Sequence, residues 1–394
     1  MAGPSLEGIL NSDLLVWARE ASRVDLATVA QRLKVTEAKL QAWEDGTQLP
    51  TLTQLRKLAR LYKRSVGVFF LQARPVDPPP PVDYRRIELS LQHVISPELA
   101  QGIRAAEVKR DAALEIFAQW EAEPPAFQLG IDPNSHPEET AHRITERLGI
   151  TTQNRQQWAN EYDAMNAWKA AVESLGVLVM QVSGVSVKEM RGCALALSPL
   201  PIILLNSKDK PLGRVFSLMH ELVHLARAES GLCDVTEQAP RGDREEQIEV
   251  YCNHVAGSIL VPFDELLRHP LVTPALEARE WSSDELQTLR RAFWASREVI
   301  LRRLLMAEKT TSQFYKAQRQ QWRQQFAGDE GESAGGFTTF PRRVVLANGR
   351  FLTRLAIDAY DASVITGSDL SRILGAKLDH LPKILGVLGE REAA

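Results

Sequence analysis

The chain has few cysteines and no long apolar run, and both absences narrow its class. Three cysteines occur among 394 residues, and an odd, widely spaced set predicts reduced thiols, not a disulfide framework. No stretch approaches the roughly 20 apolar residues that a membrane helix needs. The first 15 residues lack a basic start and an apolar core, so they do not resemble a signal peptide. We therefore expect a cytoplasmic protein with no membrane association.

An excess of charge of one sign is also absent. The 47 Lys and Arg stand against 50 Asp and Glu, giving a net charge of −3, so the whole molecule is not a polyanion binder. With 44% hydrophobic and 25% charged residues, the composition is that of ordinary globular domains. The length predicts two to three such domains.

Histidine is scarce, yet two of the eight histidines stand four positions apart in His220-Glu221-Leu222-Val223-His224. Residues four apart lie on one face of an α-helix, so both imidazoles can reach one ion. Tetrahedral zinc binds neutral imidazole nitrogens, and the intervening carboxylate can accept a proton from water. The alternative is a buried helix with two hydrogen-bonded histidines.

A catalytic zinc needs a third protein ligand, and a second predicted helix at residues 244–261 offers one. Glu249 shares a stripe with Asn253 and Ala256 on this helix. A carboxylate on a small, apolar face requires a cation partner, so Glu249 is the predicted third ligand, with Zn²⁺ as the metal and Mn²⁺ as the alternative. Asn253 and His254 are candidates for second-shell or transition-state hydrogen bonding; for His254, a half-exposed helical histidine is the alternative.

The N-terminal segment predicts a separate all-helical domain at residues 10–74. Five short helices are expected between residues 13 and 71, with Thr36 capping the third. Between Leu10 and Arg74, 11 basic residues stand against 6 acidic ones, a net charge of +5 that favours phosphate binding. The predicted DNA contacts are Lys34, Lys39 and Gln41. The alternative is a module for protein contact or dimerisation.

Two motifs carry a family resemblance. HELVHL paired with E-x-x-C-N-x-V-A-x-x-x-L-V-P resembles the ImmA/IrrE metallopeptidases, although Cys252 stands where many members have alanine. The run from Trp43 to Pro50, with Leu55, Leu58 and Ala59, is similar to the lambda-repressor-like (XRE) helix-turn-helix.

The resemblance implies roles for these residues and partners for the protein. Zinc would be held by His220, His224 and Glu249 in a thermolysin-like arrangement, with Glu221 as the general base. The helix at residues 36–43 would enter the major groove of DNA. A repressor would be the typical substrate, and long members with this N-terminal domain resemble proteins encoded beside PIN-type ribonuclease toxins.

The rest of the chain completes an α+β, predominantly helical architecture. A proline-rich linker is expected at residues 75–95, a zincin-like peptidase domain with a small sheet at 96–326, a flexible linker at 327–336 and a small C-terminal interaction or dimerisation module at 337–394. A homodimer is among the expected assemblies. The helical pattern at 289–304 mimics a second winged-helix-like module, and its alternative is helix packing that closes the peptidase domain.

Three strands are expected, at residues 177–182, 193–197 and 202–205, after a long helix at 153–175. In the zincin layout an edge strand holds the substrate in extended form. The strand at 202–205 or its neighbour is predicted to do so.

Two functions remain open on the sequence. One is a zinc metallo-endopeptidase coupled to transcriptional regulation, which hydrolyses a peptide bond in a repressor- or toxin–antitoxin-type partner. The other is a DNA-binding antitoxin or regulator whose peptidase-like domain binds a partner, such as a PIN-type ribonuclease toxin, without turnover. The intact Glu221 favours the first, because a domain kept only for binding does not need the base.

Overall fold

The structure is a computed structural model that describes residues 8–22, 24–62, 64, 66–74, 96–132, 135–229, 241–328 and 338–389. The predicted linker at 75–95 lies outside these residues, as do Cys233, one of the three cysteines predicted to be reduced, and most of the predicted linker at 327–336. The described chain is mainly helical with one small sheet. The predicted fold class is therefore confirmed.

The chain forms two compact units, Met1–Arg104 and Ala105–Ala394. The first contains α1 (Asp13–Ala21), α2 (Leu26–Leu33), α3 (Glu37–Glu44), α4 (Leu52–Leu61) and a 3₁₀ helix (Val66–Phe70). Five short helices were expected here, and the last of them takes the tighter 3₁₀ form.

Capping side chains and an apolar core fix the helices of the first unit. The Thr36 hydroxyl accepts a hydrogen bond from the backbone N–H of Lys39, as expected for an N-cap. Lys34 ends α2 in the left-handed region with a φ of 56°, which turns the chain towards α3. The core is formed by Leu14, Leu15, Val29, Leu40, Trp43, Leu55, Leu58, Tyr62 and Phe69, among others.

The remaining helices follow in chain order. They are α5 (Pro97–Gln119), α6 (Pro137–Leu148), α7 (Thr152–Gln156), α8 (Glu161–Glu173), α9 (Pro211–Glu229), α10 (Arg241–Leu260), α11 (Phe263–Arg268), α12 (Ser283–Phe293), α13 (Arg297–Met306), α14 (Ser312–Gly328), α15 (Phe340–Asn348), α16 (Arg350–Asp361), α17 (Gly367–Leu374), a 3₁₀ helix (Leu378–His380) and α18 (Leu381–Gly389). In the described residues, no helix combines the length and apolar character needed to cross a membrane.

The predicted helix at residues 153–175 is in fact two helices, α7 and α8. The Asn160 side chain accepts hydrogen bonds from the backbone N–H groups of Tyr162 and Asp163. Asparagine is favoured at an N-cap because its side-chain oxygen accepts from first-turn N–H groups that have no partner within the helix. A new helix therefore begins after Asn160 instead of continuing α7.

The sheet contains β1 (Leu178–Val182), β2 (Gly192–Leu195) and β3 (Ile202–Asn206) in the order β1-β3-β2. β1 and β3 are parallel, and β2 runs antiparallel to β3. The three expected strands are therefore present. The substrate edge was predicted to be the strand at 202–205 or its neighbour. The strand at 202–205 is central, which excludes the first alternative, and its neighbour β2 is an edge strand.

The core of the second unit brings α9, α10, α12 and α13 together. Buried residues of α12 and α13 share one apolar cluster with those of the two longer helices: Leu222, Val223, Cys252, Val255, Ile259, Leu289, Phe293, Ile300 and Leu304. The pattern at 289–304 therefore belongs to helix packing in this unit.

The described C-terminal residues, 338–389, lie within the second unit and pack beside β1. The backbone N–H of Arg350 donates to Glu173 Oε1 at 3.0 Å, and Lys109 Nζ donates to the carbonyl of Ala347 at 3.2 Å. A Cβ at Gly349 would lie 2.6 Å from the carbonyl oxygen of Val179. Because the backbone N–H of Leu178 donates to the carbonyl of Pro201, next to β3, the backbone N–H and C=O of Val179 point to the outer edge of β1. The corner at Gly349 covers this edge.

Candidate functional site

Two helices bring three potential metal ligands together. His220 and His224 lie one turn apart on α9, and Glu249 lies on α10. The two Nε2 atoms are 3.0 Å apart. Glu249 Oε2 lies 3.3 Å from His220 Nε2, and its Oε1 lies 3.2 Å from His224 Nε2. The structure thus places the three sequence-predicted ligands in one cluster.

These separations suit a tetrahedral zinc ion. Ligand atoms at the usual zinc–nitrogen and zinc–oxygen distances lie about 3.3 Å apart when the geometry is tetrahedral. The three contacts span 3.0 to 3.3 Å. Two imidazoles and one carboxylate also form a known catalytic ligand set that leaves a fourth position for water or substrate. The residues present therefore fit the metal.

The electrostatics of the cluster couple the three side chains. Burial opposes charge on Glu249, but hydrogen bonds with His220 and His224 outweigh it and hold the pKa of this carboxyl well below its usual range. Burial likewise disfavours the charged form of His220, yet the carboxylates of Glu249 and Glu221 raise its pKa above the ordinary value. The two carboxylates therefore favour positive charge on the His220 ring.

Neighbouring side chains hold the ligands in place. The Asn253 side-chain amide donates to the backbone carbonyl of Glu249 at 2.7 Å, and a hydrogen bond with Asn253 contributes to the raised pKa of His220. The Phe216 ring stacks on that of His220 with centroids 6.3 Å apart. Among the described residues, the buried Nδ1 of His220 has no hydrogen-bond partner.

Glu221 lies on the side of α9 that meets the edge strand. A Cβ built on Gly192 of β2 would be 3.0 Å from both Cγ and Oε1 of Glu221. The carboxylate that follows the first histidine is therefore packed against β2, close to where an extended peptide could pair with the sheet. Sequence reasoning did not identify Gly192, because the strand that approaches Glu221 is set by tertiary packing.

His254 points to a different group of residues. Its Nε2 lies 2.7 Å from Glu138 Oε1, and Ser258 Oγ donates to the same oxygen at 2.9 Å. Arg303 donates to both oxygens of Glu138, at 2.7 and 2.9 Å. His254 therefore joins α6, α10 and α13 instead of standing in the metal cluster, and its assignment as a transition-state donor loses its geometric basis.

Two buried arginines hold the C-terminal end of α10. Arg155 donates to the carbonyls of Ile259 and Leu260 at 3.1 and 3.0 Å, and Arg303 Nε donates to the carbonyl of Val261 at 2.8 Å. The last carbonyls of a helix lack intrahelical donors, and cations stabilise that end. These contacts fix the helix that carries Glu249.

The residues predicted to contact DNA lie on the exposed surface of the first unit. Lys34, Lys39 and Gln41 are all exposed, but Gln41 Nε2 donates to Asp45 Oδ1 at 2.9 Å. Glu44 is buried and accepts two hydrogen bonds from Arg19, at 2.7 and 2.9 Å, so its charge is neutralised inside the unit.

Comparison with known families finds two domains in this chain. Residues 172–305 match the peptidase M78 family, described as an IrrE N-terminal-like domain. Residues 12–67 match a helix-turn-helix domain. The resemblance to ImmA/IrrE proteins with an XRE-type helix-turn-helix is therefore confirmed. No match is found among curated proteins.

Proposed function

We propose that this chain, in which an IrrE N-terminal-like domain follows a helix-turn-helix domain, is a zinc-dependent endopeptidase coupled to transcriptional regulation. The observation that carries the proposal is the convergence of His220, His224 and Glu249 on one point. Its substrate would be a protein partner of the repressor or toxin–antitoxin type.

The metal site would supply Lewis-acid activation of water and of the peptide carbonyl when Zn²⁺, or alternatively Mn²⁺, is bound. His220, His224 and Glu249 would hold the ion. The Glu221 carboxylate would accept one proton from the attacking water and pass it to the leaving amine. Asn253 lies one helical turn after Glu249, and its hydrogen bond to the backbone carbonyl of that residue would keep its amide beside the metal ligands.

The edge strand β2 is the proposed binding site for the extended substrate. The backbone N–H of Asn206 donates to the carbonyl of Arg191, so residues 191, 193 and 195 pair with β3. Gly192 and Ala194 then direct their N–H and C=O groups to the outer edge of β2. A peptide that adds to this edge would pass beside Glu221.

The helix-turn-helix domain supports a role in gene control. In this fold α3 would lie in the major groove of DNA, with Lys34 and Lys39 close to phosphates. The substrate would then be a protein that acts at the same promoter. The alternative function keeps the same two domains, but the peptidase-like domain only binds its partner.

Metal analysis and co-expression would test the proposal. Purified protein should contain about one zinc per chain, and His220→Ala should lose it. Co-expression with neighbouring gene products should give a cleaved partner with the wild type, while Glu221→Gln should retain the metal and leave that partner intact. These products can be identified by mass spectrometry.

The two functions give different results in this experiment. Stable partner binding by both the wild type and Glu221→Gln, with no cleavage, would favour the binding function. A metal-free wild type after purification with added zinc would contradict the proposed site.

A further inference from the structure

Gly192 occupies a position where a larger side chain would collide with Glu221. A Cβ at this position would lie 3.0 Å from Cγ and Oε1 of Glu221 and 3.2 Å from Cβ of Ser217. Ordinary contacts between carbon atoms are about 3.5 to 4.0 Å, so a methyl group here would be overpacked. The edge strand can approach α9 this closely only because residue 192 has no side chain.

The structure decides which of the two neighbours would move. Ser217 is buried and lies one helical turn before Glu221 on α9, so its Cβ is fixed by the helix backbone. The Glu221 side chain is partly exposed and has three rotatable bonds. A side chain at position 192 would therefore displace the carboxylate of Glu221. The three nearest atoms to the added Cβ belong to Glu221 and Ser217, and none of them to a proposed metal ligand.

We propose that Gly192 is a positioning residue for Glu221: the missing side chain fixes where the base carboxylate lies between α9 and the substrate strand. The inference rests on the proposed peptidase function and deepens it. Gly192 lies against the Glu221 side chain, and its backbone N–H and C=O point to the outer edge of β2. The position of the base and the position of an added peptide are thereby set by the same residue.

A small metal-binding probe tests this without a known substrate. Acetohydroxamate chelates zinc through its two oxygens. The chelated group can also donate a charge-assisted hydrogen bond to a nearby carboxylate. Its affinity for the zinc-loaded full chain would be measured by calorimetry, with the metal content measured in parallel. We expect Glu221→Gln and Gly192→Val to weaken binding about tenfold to a hundredfold, with Gly192→Ala intermediate and about one zinc per chain retained in each.

Gly257→Ala is the matched control. A Cβ at Gly257 would lie 3.5 Å from Cδ of Arg303, which is an ordinary contact, so this variant should bind the probe within about twofold of the wild type. Valine is favourable in strands, so weaker binding by Gly192→Val would not be explained by loss of strand propensity.

Removing the crowded atoms should abolish the effect. In the Glu221→Ala background, Gly192→Ala should not weaken probe binding further, because alanine lacks the Cγ and the carboxylate that the added Cβ would meet. Circular dichroism would establish that each variant is folded. Wild-type affinity in zinc-loaded Gly192→Val, or equal effects of Gly192→Ala in both backgrounds, would overturn the role of Gly192. A wild type that binds no zinc would instead overturn the metal site itself.

Discussion

Glu138 is held by side chains from two other helices. His254 and Ser258 reach it from α10, and Arg303 reaches it from α13 with both of its terminal nitrogens. Burial alone would raise its pKa, but the hydrogen bonds from His254 and Arg303 outweigh this and lower the pKa to about 2. The ionised carboxylate is therefore part of the fold that carries Glu249.

This lowered pKa predicts a loss of stability in acid. A carboxyl group with a depressed folded-state pKa stabilises the protein above its unfolded pKa, and the contribution disappears as the pH falls towards 2. In metal-free protein, Glu138→Gln should lower the free energy of unfolding by on the order of 3 kcal/mol at pH 7. Urea titrations of both proteins should show this difference shrinking below about pH 4.5. A difference that stays constant down to pH 3 would contradict the prediction.

Elements differ in how far local sequence determines them. The spacing of His220 and His224 is a local property of one helix, and the apolar face with Glu249 is a local property of another, so both could be predicted. Arg303 lies far from Glu138 in the chain, and no periodicity connects them. The order of the three strands depends on packing between elements, so the central position of β3 could not be predicted from its composition.

The exposed cations on the helices of the first unit allow a test of the DNA-binding assignment. Lys34 precedes the proposed reading helix α3 and Lys39 lies in its first turn, while Arg56 and Lys57 are exposed on α4. Each pair removes two positive charges when changed to alanine. If α3 faces DNA, Lys34→Ala/Lys39→Ala should reduce the slope of log affinity against log salt by about 2.

The matched pair Arg56→Ala/Lys57→Ala should leave that slope close to the wild-type value. Both variants would be measured by fluorescence anisotropy on the same duplex across a salt series. Equal loss in the two variants would show that the charge of the unit, not the face of α3, determines binding.

At the scale of the whole second unit, the C-terminal helices are attached through a glycine. Gly349 has a φ of +78°, and a Cβ there would lie 2.6 Å from both Glu173 Oε1 and the carbonyl oxygen of Val179. Burial raises the pKa of Glu173 to about 7, and the start of α16 donates a backbone hydrogen bond to it. A side chain at residue 349 would separate this corner from β1.

Gly349→Ala should therefore loosen residues 338–389. Overpacking against fixed backbone, together with a left-handed φ, should cost about 2 to 4 kcal/mol of unfolding free energy. Hydrogen exchange followed by mass spectrometry should show faster exchange in β1 and in α15. Gly375→Ala is the control, since Gly375 has a φ of +64° with no neighbour within 4 Å of the added Cβ; comparable exchange in both variants would contradict the proposed attachment.

The covered edge of β1 also has a consequence for stoichiometry. In the described part of the chain, β3 is paired on both sides and β1 is shielded by the corner at Gly349, which leaves the outer edge of β2 for the proposed strand addition. An extended partner that joins this sheet must do so one segment at a time. Two segments of the same partner would therefore compete for β2, and their capture would be successive, never simultaneous.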